Sequence, residues 1–179
     1  MLNFYLINSE NLISQGSAIS NEIIQPLTSM DEEPISDLPA MDFKLENLDG
    51  DMVALSDYYG KPVMVNFLEV WCPPCRAELP LIQTSAELYR DEFVVLAINT
   101  GEEEKNVYNF IQDFMGNIIF LLDTSKKKVK EYDVRGLPTS VFINSEGSIM
   151  ATNICELNDI LLKAYLREIG VFEWSRRCL

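Results

Sequence analysis

The chain reads as an α/β protein, a mixed central sheet flanked by helices and opened by an N-terminal β-hairpin. Three observations lead there. Short apolar runs alternate with amphipathic stretches from about residue 41 onward. The last two strand-like segments are joined by a tight turn rather than by a helix. A chain of 179 residues that is 47% hydrophobic and 23% charged has the length and composition for one full hydrophobic core.

Residues 1–38 end in the acidic, proline-interrupted "TSMDEEPISDLPA", which has no sustained period and reads as a leader or linker. The globular domain is placed at 39–170 and a C-terminal tail, "VFEWSRRCL", at 171–179. Within the domain, "DFKLENLDGDMVALSDYYG" carries Asp49-Gly50 between two short alternating stretches, a hairpin signal. "KPVMVNFLEV" is a near-continuous apolar run, as a central strand buried on both faces would be. A helix follows at the cysteines, because Pro74 suits a first turn and Leu79, Ile82, Ala86 and Tyr89 recur at roughly helical spacing; Pro80 inside it predicts a kink.

"EFVVLAINT" is the next buried strand. Thr100 and Glu103 then form a T-x-x-E capping box ahead of Val107, Phe110, Ile111 and Phe114, the pattern of an amphipathic helix. "NIIFLLD" predicts a third apolar strand and "SKKKVKEYDV" a short basic helix with a solvated face. "TSVFIN" and "SIMATNI" form a hairpin around Ser145-Glu146-Gly147, and "ELNDILLKAYLREIG" closes the domain as a helix.

Charge and composition exclude several functions. A net charge of −14 and a pI near 4.3 oppose general affinity for nucleic acid or anionic lipid. From Met1 to Gly60 there are eleven Asp and Glu against one basic residue, Lys44. No run of eighteen apolar residues is present, so no membrane insertion is expected, and "MLNFYLINSENLISQG" lacks the basic and apolar regions of a secretion signal. The sequence contains no histidine, which removes His-based triads and most zinc or haem ligation.

The chemistry is concentrated in "NFLEVWCPPCRAELP". Cys72 falls at the first turn of a helix fed by a central strand, where unpaired backbone N–H groups and the positive end of the dipole favour a thiolate. Cys75, one turn on and facing inward, is placed to attack a mixed disulfide formed by Cys72, which closes the internal bond and releases a reduced partner. Zinc would need four ligands, and only Cys155 and Cys178 remain, without C-x-x-C spacing; covalent haem would need histidine where Arg76 stands. A purely structural disulfide would close a very small loop and stabilise little. No cofactor or metal is expected.

Together with "YDVRGLPTSVFI", this stretch resembles the thioredoxin superfamily, and within it the TlpA/ResA-like thiol-disulfide oxidoreductases. The similarity runs from about Pro39 to Gly170, and the helix and strand after "EFVVLAINT" match the central insertion of that branch and of peroxiredoxins. The resemblance implies a thioredoxin fold with Cys72 as attacking and Cys75 as resolving cysteine. It implies a cis Leu137-Pro138 peptide facing the disulfide, and a substrate-binding surface built from Trp71, Pro73, Pro74, Leu137 and Pro138. For Trp71 a core position is the competing reading.

Glu78, three residues beyond Cys75 on the same helix face, matches the acidic residue this branch uses near its cysteines and is expected to help deprotonate Cys75. Asn66 stands where plain thioredoxins carry a buried acid, which leaves Glu78 as the proton acceptor. Glu69 departs from the family pattern, in which this position is small. Pointing toward the cysteines it would raise the thiolate pKa; pointing outward it would alter only partner choice. Cys155, beside the last strand, is expected to be a buried small hydrophobe.

The implied activity is two-electron exchange with protein dithiols and disulfides, most simply as a reductase served by an upstream electron donor. Families of this type usually work outside the cytoplasm, often in cytochrome c maturation. Two alternatives stand beside it. One is a peroxiredoxin-like thiol peroxidase, disfavoured by the missing T-x-x-C arrangement. The other is a non-enzymatic thioredoxin-fold docking module, for which Cys72→Ser would leave partner binding intact.

Overall fold

The computed structural model describes residues 38–114 and 116–171. The expected leader up to residue 37, and the tail from residue 172 with Cys178, lie outside the described residues. Eight strands form one sheet: β1 (Leu38–Pro39), β2 (Lys44–Asn47), β3 (Met52–Ala54), β4 (Val63–Leu68), β5 (Val94–Asn99), β6 (Ile118–Leu122), β7 (Thr139–Ile143) and β8 (Ser148–Ile154). The helices are α1 (Pro73–Leu88), α2 (Glu104–Ile111), α3 (Lys127–Glu131) and α4 (Asp159–Glu168).

The sheet order is β1-β8-β7-β4-β5-β6-β2-β3. β4, β5 and β6 run parallel, while β7, β8 and the β2–β3 hairpin add antiparallel edges. The mixed sheet, the N-terminal hairpin and the α2–β6 insertion are therefore as the sequence predicts. Gly50 takes φ +85 in the hairpin turn, a conformation L side chains rarely adopt.

Alternation along the strands divides the core in two. Met64 and Leu68 of β4, Val95 and Ala97 of β5 and Phe142 of β7 face α1, α2 and α4. Val65, Phe67, Leu96, Ile98 and Val141 face the other way, toward Phe43, Leu55 and the α3 region. This period of two, with every residue of β4 buried, explains the unbroken apolar run: both faces of the strand are covered.

The helices follow the sequence with one correction. In α1, Leu79, Ile82 and Ala86 are buried as predicted, joined by Cys75 and Glu78. Pro80 lies on the exposed side, where the carbonyl it leaves without an N–H partner, that of Arg76, can reach water. The Thr100–Glu103 capping box does not form. α2 begins at Glu104 with Glu103 as its N-cap, and the Thr100 hydroxyl donates instead to Glu69 Oε1 at 2.7 Å. A buried carboxylate is the stronger acceptor, so the long-range bond displaces the local motif.

Asp123 was not singled out in the sequence. Buried at the end of β6, it accepts the backbone N–H groups of Lys127, Lys128 and Val129, the orphan donors of the first turn of α3. Asp123→Ala should lower the unfolding free energy by about 1–3 kcal/mol, because three part-buried donors lose a charged acceptor at once. Urea denaturation of the two proteins checks this, and a change under about 0.5 kcal/mol would contradict it.

Candidate active site

Because β4 and β7 are antiparallel neighbours with Phe67 opposite Thr139, the end of β4 and the start of β7 meet at one edge of the sheet. The chain leaves β4 toward Cys72 and enters β7 from Pro138, so residues far apart in sequence converge there. β5 and β6 end on the same side, with Leu68 opposite Asn99 and Asn99 opposite Leu122. This is the carboxyl end of the parallel strands, where α/β sheets place their chemistry.

Cys72 is the N-cap of α1, with Pro73 and Pro74 in the first two helical positions, where a missing N–H costs nothing. Cys72 and Cys75 form a disulfide with Cα atoms 5.3 Å apart. The Cys75 backbone N–H donates to Cys72 Sγ at 3.4 Å, so one orphan donor of the helix terminus already faces the sulfur that becomes a thiolate on reduction. Trp71 is 68% exposed, which decides against a core position. Pro73 is exposed and Pro74 and Leu137 are half-buried. The Leu137–Pro138 peptide is cis, with Pro138 itself buried.

Val70, the residue before Trp71, is held at both its N–H and its carbonyl. Glu102 Oε2 accepts the Val70 N–H at 2.7 Å and the Asn99 amide at 2.6 Å, and Arg76 donates to the Val70 carbonyl at 3.2 Å. The Arg76 guanidinium also lies 4.8 Å from the centre of the Phe110 ring. These restraints on the loop carrying Trp71 and Cys72 are not visible in the sequence, because their partners come from α1 and from the segment after β5.

Glu78 is 1% exposed. Its Oε1 accepts from Asn66 Nδ2 at 2.8 Å and its Oε2 from the Leu157 N–H at 2.8 Å. Burial pushes its carboxyl up to about 7 from the ordinary 4.5; the bonds from Leu157 and Asn66 oppose the rise, and the charge of Glu156 adds to it. Asn66 Nδ2 also donates to Ser140 Oγ at 3.0 Å. Ser140 was missed in the sequence, although as a hydroxyl on the otherwise apolar Phe142 face of β7 it carries a signal.

Glu69 turns away from the face that holds α1. Only 6% exposed, it binds Thr100 and the ammonium of Lys126, 3.2 Å away, and with Arg135 and Leu137 these line a pocket of about 200 Å³. The basic segment is thus more than a solvated face: Lys126 lies against Gly101 and neutralises a buried carboxylate. Cys155 corrects a further expectation. It is exposed, at φ 113, a conformation uncommon for a side chain other than glycine. Its N–H donates to the Pro138 carbonyl at 3.0 Å, so the backbone role of this segment turns the thiol outward.

Two electrons can be stored in the Cys72–Cys75 bond and passed on by thiol exchange at a helix terminus flanked by exposed Trp71 and Pro73, and fold and site together define a thiol-disulfide oxidoreductase of thioredoxin fold. Residues 37–152 match the model of the AhpC/TSA family. The chain is 32% identical over 161 residues to the thiol-disulfide oxidoreductase ResA of Bacillus subtilis (strain 168), covering 89% of this chain and 88% of that one. It belongs to the AhpC/TSA family, among its ResA-like thiol-disulfide oxidoreductases.

Two solved structures agree. An exposed lipoprotein thioredoxin of Streptococcus pneumoniae superposes with a TM-score of 0.64 at 33% identity, over 72% of this chain and 99% of that one. StoA of Bacillus subtilis superposes with a TM-score of 0.61 at 26% identity, over 73% and 98%. The substrates are accordingly protein thiols and disulfides. Among the described residues no helix is long and apolar enough to cross a membrane.

Proposed function

We propose that this protein is a reductase of protein disulfides, with Cys72 as the attacking thiolate, Cys75 as the resolving thiol and Glu78 as the acceptor of the Cys75 proton. In the first step Cys72 thiolate forms a bond to one sulfur of the substrate disulfide, and the other substrate sulfur leaves as a thiolate that takes a proton from water. In the second, Cys75 gives its proton to Glu78 and attacks Cys72 Sγ. The Cys72–Cys75 bond forms, the mixed disulfide breaks, and the substrate leaves with two more electrons than it brought. An upstream dithiol donor restores the pair.

Trp71, Pro73, Pro74 and Leu137 form the surface that meets the substrate, with the Leu137 backbone ahead of the cis Pro138 offered to an extended segment of it. The domain at 39–170 works in an extracytoplasmic compartment, as its likeness to an exposed lipoprotein thioredoxin suggests. The observation that carries this reading is the placement of Cys75 and a buried, near-neutral-titrating Glu78 on one face of the helix that Cys72 caps.

A redox titration of the Cys72/Cys75 pair against glutathione or dithiothreitol, read by mass after alkylation in a Cys178→Ser background, tests the direction. A reversible two-electron couple near the thioredoxin value of about −270 mV is expected. A potential near about −120 mV would make the protein an oxidant and overturn the reductase assignment.

A further inference from the structure

We propose that the side-chain amide of Asn66 is the positioning element for the Glu78 proton, donating to the carboxylate through Nδ2 and turning to accept from the carboxylic acid through Oδ1, with Ser140 as its partner in both orientations. This rests on the reading of Glu78 as the acceptor of the Cys75 proton.

Asn66 is fully buried in β4, and both of its hydrogen bonds, to Glu78 Oε1 and to Ser140 Oγ, are made by one atom, Nδ2. Its Oδ1 is buried without a partner, alone in this among side-chain nitrogen and oxygen atoms of the described residues. An orphan acceptor in a core is costly and calls for a reason. The far oxygen of Glu78 is already engaged by the Leu157 N–H, a backbone donor that cannot rotate away. A proton arriving at Glu78 therefore belongs on Oε1, the oxygen that faces Asn66.

With Nδ2 toward it, that O–H would meet a donor. A half-turn of the amide replaces the donor with the free acceptor, Oδ1. Ser140 fits both arrangements, because a hydroxyl accepts from Nδ2 in one and donates to Oδ1 in the other. Two hydrogen bonds are kept on that side of Asn66 in either charge state, so Glu78 can take up and release a proton without leaving its pocket. An aspartate at 66 could only accept while ionised, and an apolar side chain could do neither.

Among the described residues no cation is paired with the carboxyl to fix its charge. On α1 its neighbours are Cys75 one turn earlier and Cys72 at the cap; from β4 comes Asn66, from β7 Ser140, and from the segment after β8 the Leu157 N–H and the negative Glu156. Hydrogen bonding through Asn66 is then the main adjustable influence on when the proton moves.

The test is NMR of the reduced protein across pH 4 to 9, following the Glu78 side-chain carbon, the Asn66 side-chain amide and the ionisation of Cys75. The Asn66 amide protons should change neighbours as Glu78 titrates, and in Glu78→Gln they should hold the turned orientation at every pH. Asn66→Leu should raise the Glu78 midpoint by at least about one pH unit, a tenfold gain in proton affinity, because the bond lost by the carboxylate is charge-assisted and stronger than the one lost by the acid. Ser140→Ala should shift it in the same direction by less.

An amide that keeps one orientation through the titration overturns the proposal, as does an unmoved midpoint in both variants. If Asn66→Leu fails to fold, Ser140→Ala and the wild-type amide decide. Should Glu78→Gln leave Cys75 ionisation unchanged, the proton-acceptor reading fails, while the Glu78 midpoint still judges the role of Asn66 separately.

Discussion

Cys72→Ser should lose at least about a thousandfold in turnover of a protein disulfide, and Cys75→Ser should accumulate the substrate as a stable mixed disulfide. The asymmetry follows from position. Cys72 caps α1, beside exposed Trp71 and Pro73, and receives the Cys75 N–H; Cys75 is 1% exposed and packed in the core. Both cysteines are largely covered, at 4% and 1% exposed, but Cys72 lies at the helix start beside exposed residues and Cys75 one turn deeper, so entry is assigned to Cys72 and a serine at 72 removes it. A serine at 75 leaves entry intact and removes release, because no buried thiol remains to attack Cys72. Intact-mass analysis of protein incubated with an oxidised polypeptide, with and without dithiothreitol, reads both effects. A Cys75→Ser protein that turns over normally would mean that resolution comes from elsewhere, with the exposed Cys155 beside Pro138 as the first candidate to replace by serine.

Glu78→Gln should slow the resolving step about a hundredfold at neutral pH and at the same time make the protein more stable in alkaline solution. The stability effect has a definite sign. The folded carboxyl holds its proton up to about 7 and the unfolded one only to its ordinary 4.5, so between these values the folded state binds more protons. Stability contributed by the neutral acid is complete below about 4.5 and is lost as pH rises through about 7, a change of about 3 kcal/mol in total. Glutamine has the same shape and no charge to bury, and its amide can accept from Leu157 while donating to a turned Asn66. Urea unfolding of wild type and variant should therefore agree near pH 4 and diverge by about 3 kcal/mol near pH 8. Parallel curves across that range, or an unchanged pH profile of thiol exchange, would remove Glu78 from the proton-transfer role.

Much of this protein is legible locally. The apolar runs of β4, β5 and β6 declare themselves because both faces of each strand are covered, and the helix after "WC" is marked by its prolines and apolar spacing. The cysteine pair and the G-L-P-T stretch suffice for the fold and the chemistry, since each combines a rare residue pattern with a backbone requirement. The errors come where a local motif has a distant competitor. Thr100 carries a good capping signal, yet its hydroxyl goes to Glu69, 31 residues earlier. Cys155 is a plausible core residue by type, but the turn that directs its N–H to Pro138 puts the thiol outside.

The sequence by itself determined the elements, the order in which they alternate, the cysteine pair and the helix terminus that it caps, because these rest on periodicity and on backbone chemistry within a few residues. Only the tertiary structure decided the electrostatics. Whether Glu69 faces the cysteines depends on a lysine 57 residues away, and whether Glu78 titrates near neutrality depends on how deeply the fold buries it, against the opposing bonds from the Leu157 N–H and the Asn66 amide. Charge in a low-dielectric interior is governed by whatever lies within a few ångströms, and folding, not adjacency in the chain, chooses those neighbours.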